Sequence, residues 1–237
     1  MFRNELTAVL TAMHISLSEQ QLSQFCRFEE LLLETNKVMN LTAITEPKEV
    51  AVKHMADSLS CYEDAYFPKG AACLDLGTGA GFPGIPLLIY RPDLHMTFFD
   101  SLQKRLRFLE QVTTELTLTG AVFLHGRAEE KAHDKTYREQ FDVVTSRAVA
   151  RLNILCEWAL PYVRTGGVFI ALKGAQYEEE IKEAGHALAV LGGTLEAVRP
   201  VTLPGLTDKR AVLYIRKNAK SPLKYPRKPT LAAKNPL

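Results

Sequence analysis

The chain has 237 residues, 46% apolar and 24% charged, with 29 Lys and Arg against 27 Asp and Glu. That balance excludes a wholly disordered chain, and no run approaches the ~18 uninterrupted apolar residues of a membrane span. Met1-Phe2-Arg3-Asn4-Glu5 lacks a basic-then-apolar signal pattern, and the four cysteines form no C-x-x-C pair, so a soluble intracellular protein is expected. The six histidines fall in no H-E-x-x-H or similar spacing, and no metal is expected. Charge is uneven along the chain: nine basic and no acidic residues lie between Lys209 and Leu237, leaving 20 basic and 27 acidic before them. A basic end on an acidic body suits either a polyanionic partner or a solvated tail.

Residues 1–60 read as helical. Ser18-Glu19-Gln20-Gln21 is a capping box, followed by a helical stripe through Leu22, Phe25, Cys26, Leu32 and Leu33. Asn40 to Ile44 breaks the pattern, and Thr45 can cap a helix with Pro47 in its first turn, running to about Cys61. From residue 71 short apolar runs alternate with helical patterns. The strands are expected at Ala71–Leu76, His95–Asp100, Ala121–His125, Phe141–Ser146 and Gly167–Lys173. Helices are expected at Ile85–Tyr90, Gln103–Leu118, Arg151–Tyr162 and Gln176–Leu191. This alternation indicates βαβ units and a parallel sheet. Two last strands, Thr194–Leu203 and Ala211–Arg216, have no helix between them and can join only as an antiparallel hairpin. The expected organisation is a helical extension over 1–65, an α/β domain over 66–216 and a basic, proline-containing tail over 217–237, kept extended by its prolines.

The first strand runs into Asp75-Leu76-Gly77-Thr78-Gly79-Ala80-Gly81-Phe82-Pro83-Gly84. Glycines here let the backbone turn tightly and approach a ligand. A dinucleotide fingerprint needs G-x-G-x-x-G, but position 82 is Phe. The spacing D-x-G-x-G-x-G fits S-adenosylmethionine, and Asp75, ill placed beside a pyrophosphate, suits a ligand with an ammonium and a sulfonium. Asp100 follows Gly77 by 23 residues, the interval at which a carboxylate meets a ribose diol; it also suits a helix N-cap.

Several segments together resemble the RsmG (GidB) family of ribosomal RNA methyltransferases, nearly end to end. They are Asn40-Leu41-Thr42-Ala43-Ile44, Lys53-His54-x-x-Asp57-Ser58-Leu59, the loop from Asp75 to Pro86, and Asp100-Ser101-x-x-Lys104-Arg105. Arg127-Ala128-Glu129, Ser146-Arg147-Ala148-Val149-Ala150-Arg151-Leu152, Leu172-Lys173-Gly174 and Tyr225-Pro226-Arg227-Lys228-Pro229 continue the match. In the tail, Thr230-Leu231-Ala232 replaces the family's usual Gly-Thr-Pro.

The resemblance implies a class I S-adenosylmethionine-dependent methyltransferase, a Rossmann-like parallel sheet with an antiparallel final strand. It further implies a cytoplasmic enzyme acting on N7 of a guanosine in the 530 loop of 16S rRNA, as free rRNA or in a small-subunit ribosomal particle. The family's cofactor contacts fall on Gly77, Phe82, the Ala128-Glu129 pair and Arg147; the loop reading adds Asp75, Gly79 and Asp100. Guanine N7 carries a free lone pair, so no general base is required and none is assigned. Lys173, Arg227 and Lys228 are candidates for contacts to rRNA phosphate, although a strand-end Lys often only snorkels. His54, Asp57 and Ser58 share a helix face and suit docking of the helical N-terminus on the sheet. A different class of function, a non-catalytic ribosome-assembly protein that keeps the fold, is also open.

Overall fold

Along each central strand, neighbouring residues enter two different cores. Leu74, Phe99, Val144, Phe169 and Leu213 face one, while Cys73, Phe98, Val143, Ile170 and Val212 face the other. A strand's side chains alternate between its faces, so a sheet apolar on both must be covered on both. The computed structural model describes residues 1–237, except for the side chains of Pro229 and Ala233.

Helices α1 (Phe2–Ala12) and α2 (Glu19–Met39) come first. A continuous helical stretch follows: α3 (Pro47–Glu49), a π-helical segment (Val50–Ala56) and α4 (Asp57–Leu59). Then β1 (Ala72–Leu76), α5 (Gly84–Tyr90), β2 (His95–Asp100), α6 (Gln103–Glu115), β3 (Ala121–His125), α7 (Ala128–Lys131), β4 (Phe141–Arg147), α8 (Leu152–Ala159) and β5 (Val163–Lys173) alternate. The chain ends with α9 (Tyr177–Glu183), α10 (Gly185–Leu191), β6 (Gly193–Pro200), β7 (Ala211–Lys217) and α11 (Pro229–Lys234). The sheet order is β3-β2-β1-β4-β5-β7-β6. β1 to β5 are parallel, and β7 runs antiparallel to both β5 and β6.

The capping box at Ser18 and Gln21 forms with both its bonds, and the same glutamine does more. Its Nε2 donates to the carbonyls of Ile89 and Tyr90 at 3.0 Å, and Gln24 Nε2 donates to Leu116 O at 2.7 Å. Last-turn carbonyls of a helix have no partner within it; α2 satisfies those at the ends of α5 and α6. The helical N-terminus is thus built into the face that carries α5 and α6, and its Leu6, Phe25 and Phe28 share a core with Phe98 and Tyr214.

Several boundaries differ from the sequence reading, the ends of α6, α8 and β6 among them. Glu46, not Thr45, caps the helix at Pro47, its side chain accepting from Glu49 N–H. β5 begins at Val163 because Phe141 pairs with it before a bulge shifts the register to Val143 and Val168. The helix expected over 176–191 divides at Ala184–Gly185. The tail is not extended throughout: residues 230–234 carry no proline and lie in α11.

Candidate active site

Open α/β sheets bind ligands beyond the carboxyl ends of their strands, where the strand order reverses. Here that point lies between β1 and β4. The backbone N–H groups of Gly77 and Thr78 both donate to Phe99 O, at 2.9 and 3.0 Å, which turns the chain sharply after β1. Gly77 has φ +71, and a Cβ there would stand 2.6 Å from Val149 Cγ2 in the loop after β4. Only glycine lets these loops close on each other.

Asp75 does not face the crevice. It is fully buried, its Oδ2 accepting from Thr78 Oγ1 at 2.6 Å and Gly84 N at 3.0 Å, and its Oδ1 from Thr145 Oγ1 at 3.1 Å. Burial pushes its pKa up to about 6 against the pull of those bonds. The expectation that it meets a ligand ammonium is corrected: the pleat turns this side chain under the loop, where it braces the turn. Gly84 must be glycine for the same reason, since a Cβ would lie 2.7 Å from Asp75 Oδ2.

A cavity of about 150 Å³ opens beside the loop and brings together Gly77, Asp100, Ala128, Glu129, Val149 and Trp158. Leu102, not Asp100, is the N-cap of α6; Asp100 braces the turn before that helix instead. Its Oδ1 accepts from Leu102 N at 2.8 Å, and its Oδ2 accepts from Gly79 N at 3.0 Å and Arg105 Nη1 at 3.3 Å. A carboxylate has about four acceptor positions, so one on Oδ1 stays open. Gly79 therefore reaches the site through its backbone bond to Asp100. Trp158, which sequence reasoning missed, lies on α8 with its Nε1 buried and without a hydrogen-bond partner among the described residues. Its only sequence signal is that it is the sole tryptophan.

Neither Arg147 nor Phe82 borders that cavity, and Phe82 packs beneath the Arg147 guanidinium instead. Phe82 is buried, its ring stacked on His54 with centroids 4.5 Å apart, and the Arg147 guanidinium lies 4.9 Å from the Phe82 centroid. Arg147 Nη1 donates to Asp57 Oδ2 at 2.8 Å and Lys53 O at 3.1 Å, while Nη2 meets His54 Nδ1 at 3.3 Å. Arg has only donors, so His54 Nδ1 accepts and its proton sits on Nε2, 2.7 Å from Thr42 Oγ1. Burial and the Arg147 charge push the His54 pKa down to about 4, and the ring is neutral. The second oxygen of Asp57 accepts from Arg210 Nη1 at 2.8 Å. Arg147 and Ala148 border a second cavity, of about 500 Å³, at the ends of β4, β5 and β7. Ala148 has φ +56, a left-handed conformation that costs a non-glycine residue about 1 kcal/mol.

Two of the three expected phosphate contacts are engaged elsewhere. Lys173 Nζ donates to Ala150 O at 2.8 Å and pairs with Glu180 Oε2 at 2.6 Å, its side chain only 7% exposed. Arg227 grips Glu157, whose carboxylate is buried, with Nε 2.8 Å from Oε1 and Nη2 2.6 Å from Oε2. The correction has one physical reason for both: a buried carboxylate needs a cation. Lys228 is exposed.

The parallel sheet, the antiparallel β7 and the glycine loop at the reversal define a class I S-adenosylmethionine-dependent methyltransferase fold. The solved structure of TYW2 from M. jannaschii in complex with AdoMet is similar, with a TM-score of 0.53 at 14% identity over 69% of this chain and 76% of that one. The family described as GidB, rRNA small subunit methyltransferase G, matches residues 21–207. The protein of that name from Alkaliphilus metalliredigens is 48% identical over 93% of this chain and 92% of its own. Its namesake from Exiguobacterium sp. (strain AT1b) is 48% identical over the whole of both chains. The chain belongs to the rRNA small subunit methyltransferase G family.

Proposed function

We infer that this protein methylates N7 of a guanosine in the 530 loop of 16S rRNA, in the cytoplasm, with S-adenosylmethionine as donor. The observation that carries the reading is the meeting of Gly77 with Val149 at the strand reversal, with the cavity of Asp100, Ala128 and Glu129 opening beside it. The names of full-length relatives supply the substrate class.

The residues present fit the cofactor. A side chain at Gly77 would fill the cradle, Asp100 keeps one acceptor position for a ribose hydroxyl, and Trp158 Nε1 is a buried donor without a partner among the described residues. When bound, S-adenosylmethionine supplies a methyl group activated by its sulfonium. The protein's task is then positioning, since alignment of two reactants supplies much of the rate in a displacement. Guanine N7 needs no deprotonation, and the groups beside the larger cavity agree with that. The His54 lone pair is taken by Arg147, and both Asp57 oxygens are held by arginines. In this reading residues 66–216 hold the cofactor, 1–65 close the site through His54 and Asp57, and 217–237 cover the far side of α8. Gly77, Gly79, Phe82, Asp100, Ala128, Glu129 and Arg147 bind or support the cofactor, and of the three phosphate candidates Lys228 is the one left free for rRNA.

The test maps 7-methylguanosine in 16S rRNA from cells with and without the gene, and repeats the transfer with purified protein. Loss of one modified guanosine in the 530 loop, restored by the protein, is expected. Cofactor binding without methyl transfer to any rRNA overturns the reading in favour of a non-catalytic assembly protein.

A further inference from the structure

The cavity of about 500 Å³ beside Arg147 is not part of the nucleoside-sized pocket, yet the two share a wall. Ala148 borders the larger and Val149 the smaller, so adjacent residues of one loop separate them. Its volume lies within the ~300–1,000 Å³ range of small-molecule sites. Its charged lining comprises Lys53, Asp57, Arg147, Lys173, Glu180 and Arg210, four cations against two anions. Outside that lining Lys53 pairs with Glu49 and Arg210 with Asp208, both exposed carboxylates, so these are the two cations that an anionic ligand can draw on at least cost.

Its construction also resembles a site more than a packing gap. Lys53 projects from the π-helical segment, a geometry concentrated at functional positions. Ala148 holds a left-handed backbone at its edge, and such strain also clusters at ligand clamps. Arg210 commits Nη1 to Asp57 at 2.8 Å and Nη2 to Asp208 at 3.0 Å, while its Nε is buried without an acceptor among the described residues. A buried donor left unpaired is destabilising, and an acceptor that reaches it relieves that cost.

A base inside structured RNA presents N7 in a major groove too deep and narrow for side chains. Enzymes that react at a base therefore draw it out of its stack into a pocket. We propose that this cavity receives the extruded target nucleotide, its purine against Ala148 and Arg147 and its phosphate beside Lys53 and Arg210. The proposal rests on the functional reading above and adds the location of the substrate and the role of Arg210.

Gly174 allows a steric test. It sits at the cavity rim, and a Cβ there would meet no heavy atom within 4 Å. Gly174→Phe crowds the entrance without touching the cofactor pocket, Gly174→Ala controls for backbone effects, and Arg210→Gln removes the charge. Each variant's cofactor Kd is measured by calorimetry, and its kcat/KM on 16S rRNA lacking the modification. Gly174→Phe and Arg210→Gln are expected to keep Kd within about twofold and to lose at least tenfold in kcat/KM, with Gly174→Ala near wild type. In parallel, rRNA with 6-thioguanosine at the target is photo-crosslinked to wild-type protein and the adducts are mapped; they are expected on residues of this cavity. Wild-type kcat/KM in Gly174→Phe, or adducts confined to other surfaces, overturns the proposal while leaving the functional reading intact. A wild-type protein that binds cofactor but methylates no rRNA overturns both.

Discussion

Arg147 Nη1 and Asp57 Oδ2 lie 2.8 Å apart, joining the end of β4 to a helix 90 residues earlier in the chain. Both side chains are largely buried, and Asp57 holds a second arginine, Arg210, on its other oxygen. One carboxylate thus bridges the guanidinium of Arg147 at the end of β4 and that of Arg210 just before β7. The catalytic face and the helical N-terminus are one electrostatic unit.

Removing that carboxylate leaves Arg147 without an ion partner and Arg210 with Asp208 alone. Breaking a buried pair from one side costs about 3–5 kcal/mol. Asp57→Ala is therefore expected to lose about that much in urea unfolding followed by Trp158 fluorescence, and Asp57→Asn less, because its amide oxygen still accepts. A loss below about 1 kcal/mol for Asp57→Ala contradicts this account.

Arg147→Lys should not restore what Arg147→Ala loses. The guanidinium serves Lys53 O, Asp57 and His54 at once and lies over Phe82. An ammonium is a point charge without the planar fork. Methylation in the two variants is expected to fall together by tenfold or more, while far-UV circular dichroism stays native.

In the cofactor pocket, Gly77→Val is expected to abolish binding, because its Cβ would stand 2.6 Å from Val149 Cγ2 on a backbone at φ +71. Asp100→Ala removes one open acceptor position together with the bond that holds Gly79. The expected loss is about 1.5–3 kcal/mol in cofactor affinity, the range for bonds to a charged group. Titration calorimetry showing wild-type affinity in both variants removes the assignment of this pocket.

Acid response separates two buried groups. His54 titrates at about 4 when folded, against an ordinary 6.5, because of burial and Arg147. Between those values the unfolded chain binds more protons, so the stability from neutral His54 is full above about pH 6.5 and lost as pH falls toward 4, about 3 kcal/mol in all. Asp75 runs the other way: burial raises it from 3.8 to about 6, so its destabilisation is full above pH 6, fades as pH falls from 6, and is gone below about 4. The two offset each other in the wild type across pH 4–6. In His54→Gln only the Asp75 trend remains, so the stability gap between wild type and variant should narrow steadily from pH 7 to pH 4.5. A constant gap in urea melts across that range contradicts the titration of His54.

The tail makes a structural prediction in place of the purely electrostatic one its charge suggests. Arg138 donates to the carbonyls of Ser221, Pro222 and Tyr225, Lys217 is fully buried on Leu160 O, and Arg227 covers Glu157. Arg227→Ala strands the Glu157 carboxylate and is expected to cost about 3–5 kcal/mol. Pairing Arg227→Met with Glu157→Gln should recover most of it. Lys228→Ala, by contrast, should leave the melting temperature unchanged and flatten the salt dependence of rRNA binding by roughly 0.7 per lost phosphate contact. An unchanged salt slope returns Lys228 to the solvated surface.

The elements themselves were legible without coordinates. β2 and β3 run from His95 to Asp100 and from Ala121 to His125, as their apolar patterns indicate, and the hairpin of β6 and β7 follows from a connection too short for a parallel crossover. The glycine loop and the acidic residue 23 positions beyond Gly77 pointed to residues that the fold brings to one cavity, because backbone approach and ribose recognition each need a particular residue at a particular interval. Periodicity and spacing are properties of neighbouring residues, so the sequence carries them directly. The partners of charged side chains are not. Asp75 and Thr145 meet across 70 residues, as do Glu157 and Arg227, and Asp57 and Arg210 meet across 153. Whether a lysine or arginine is free for RNA or consumed by a buried carboxylate depends on which elements pack together. The turn of the chain into α9 decided that for Lys173, and the packing of the tail on α8 decided it for Arg227, since desolvation makes an unpaired buried charge too costly to leave.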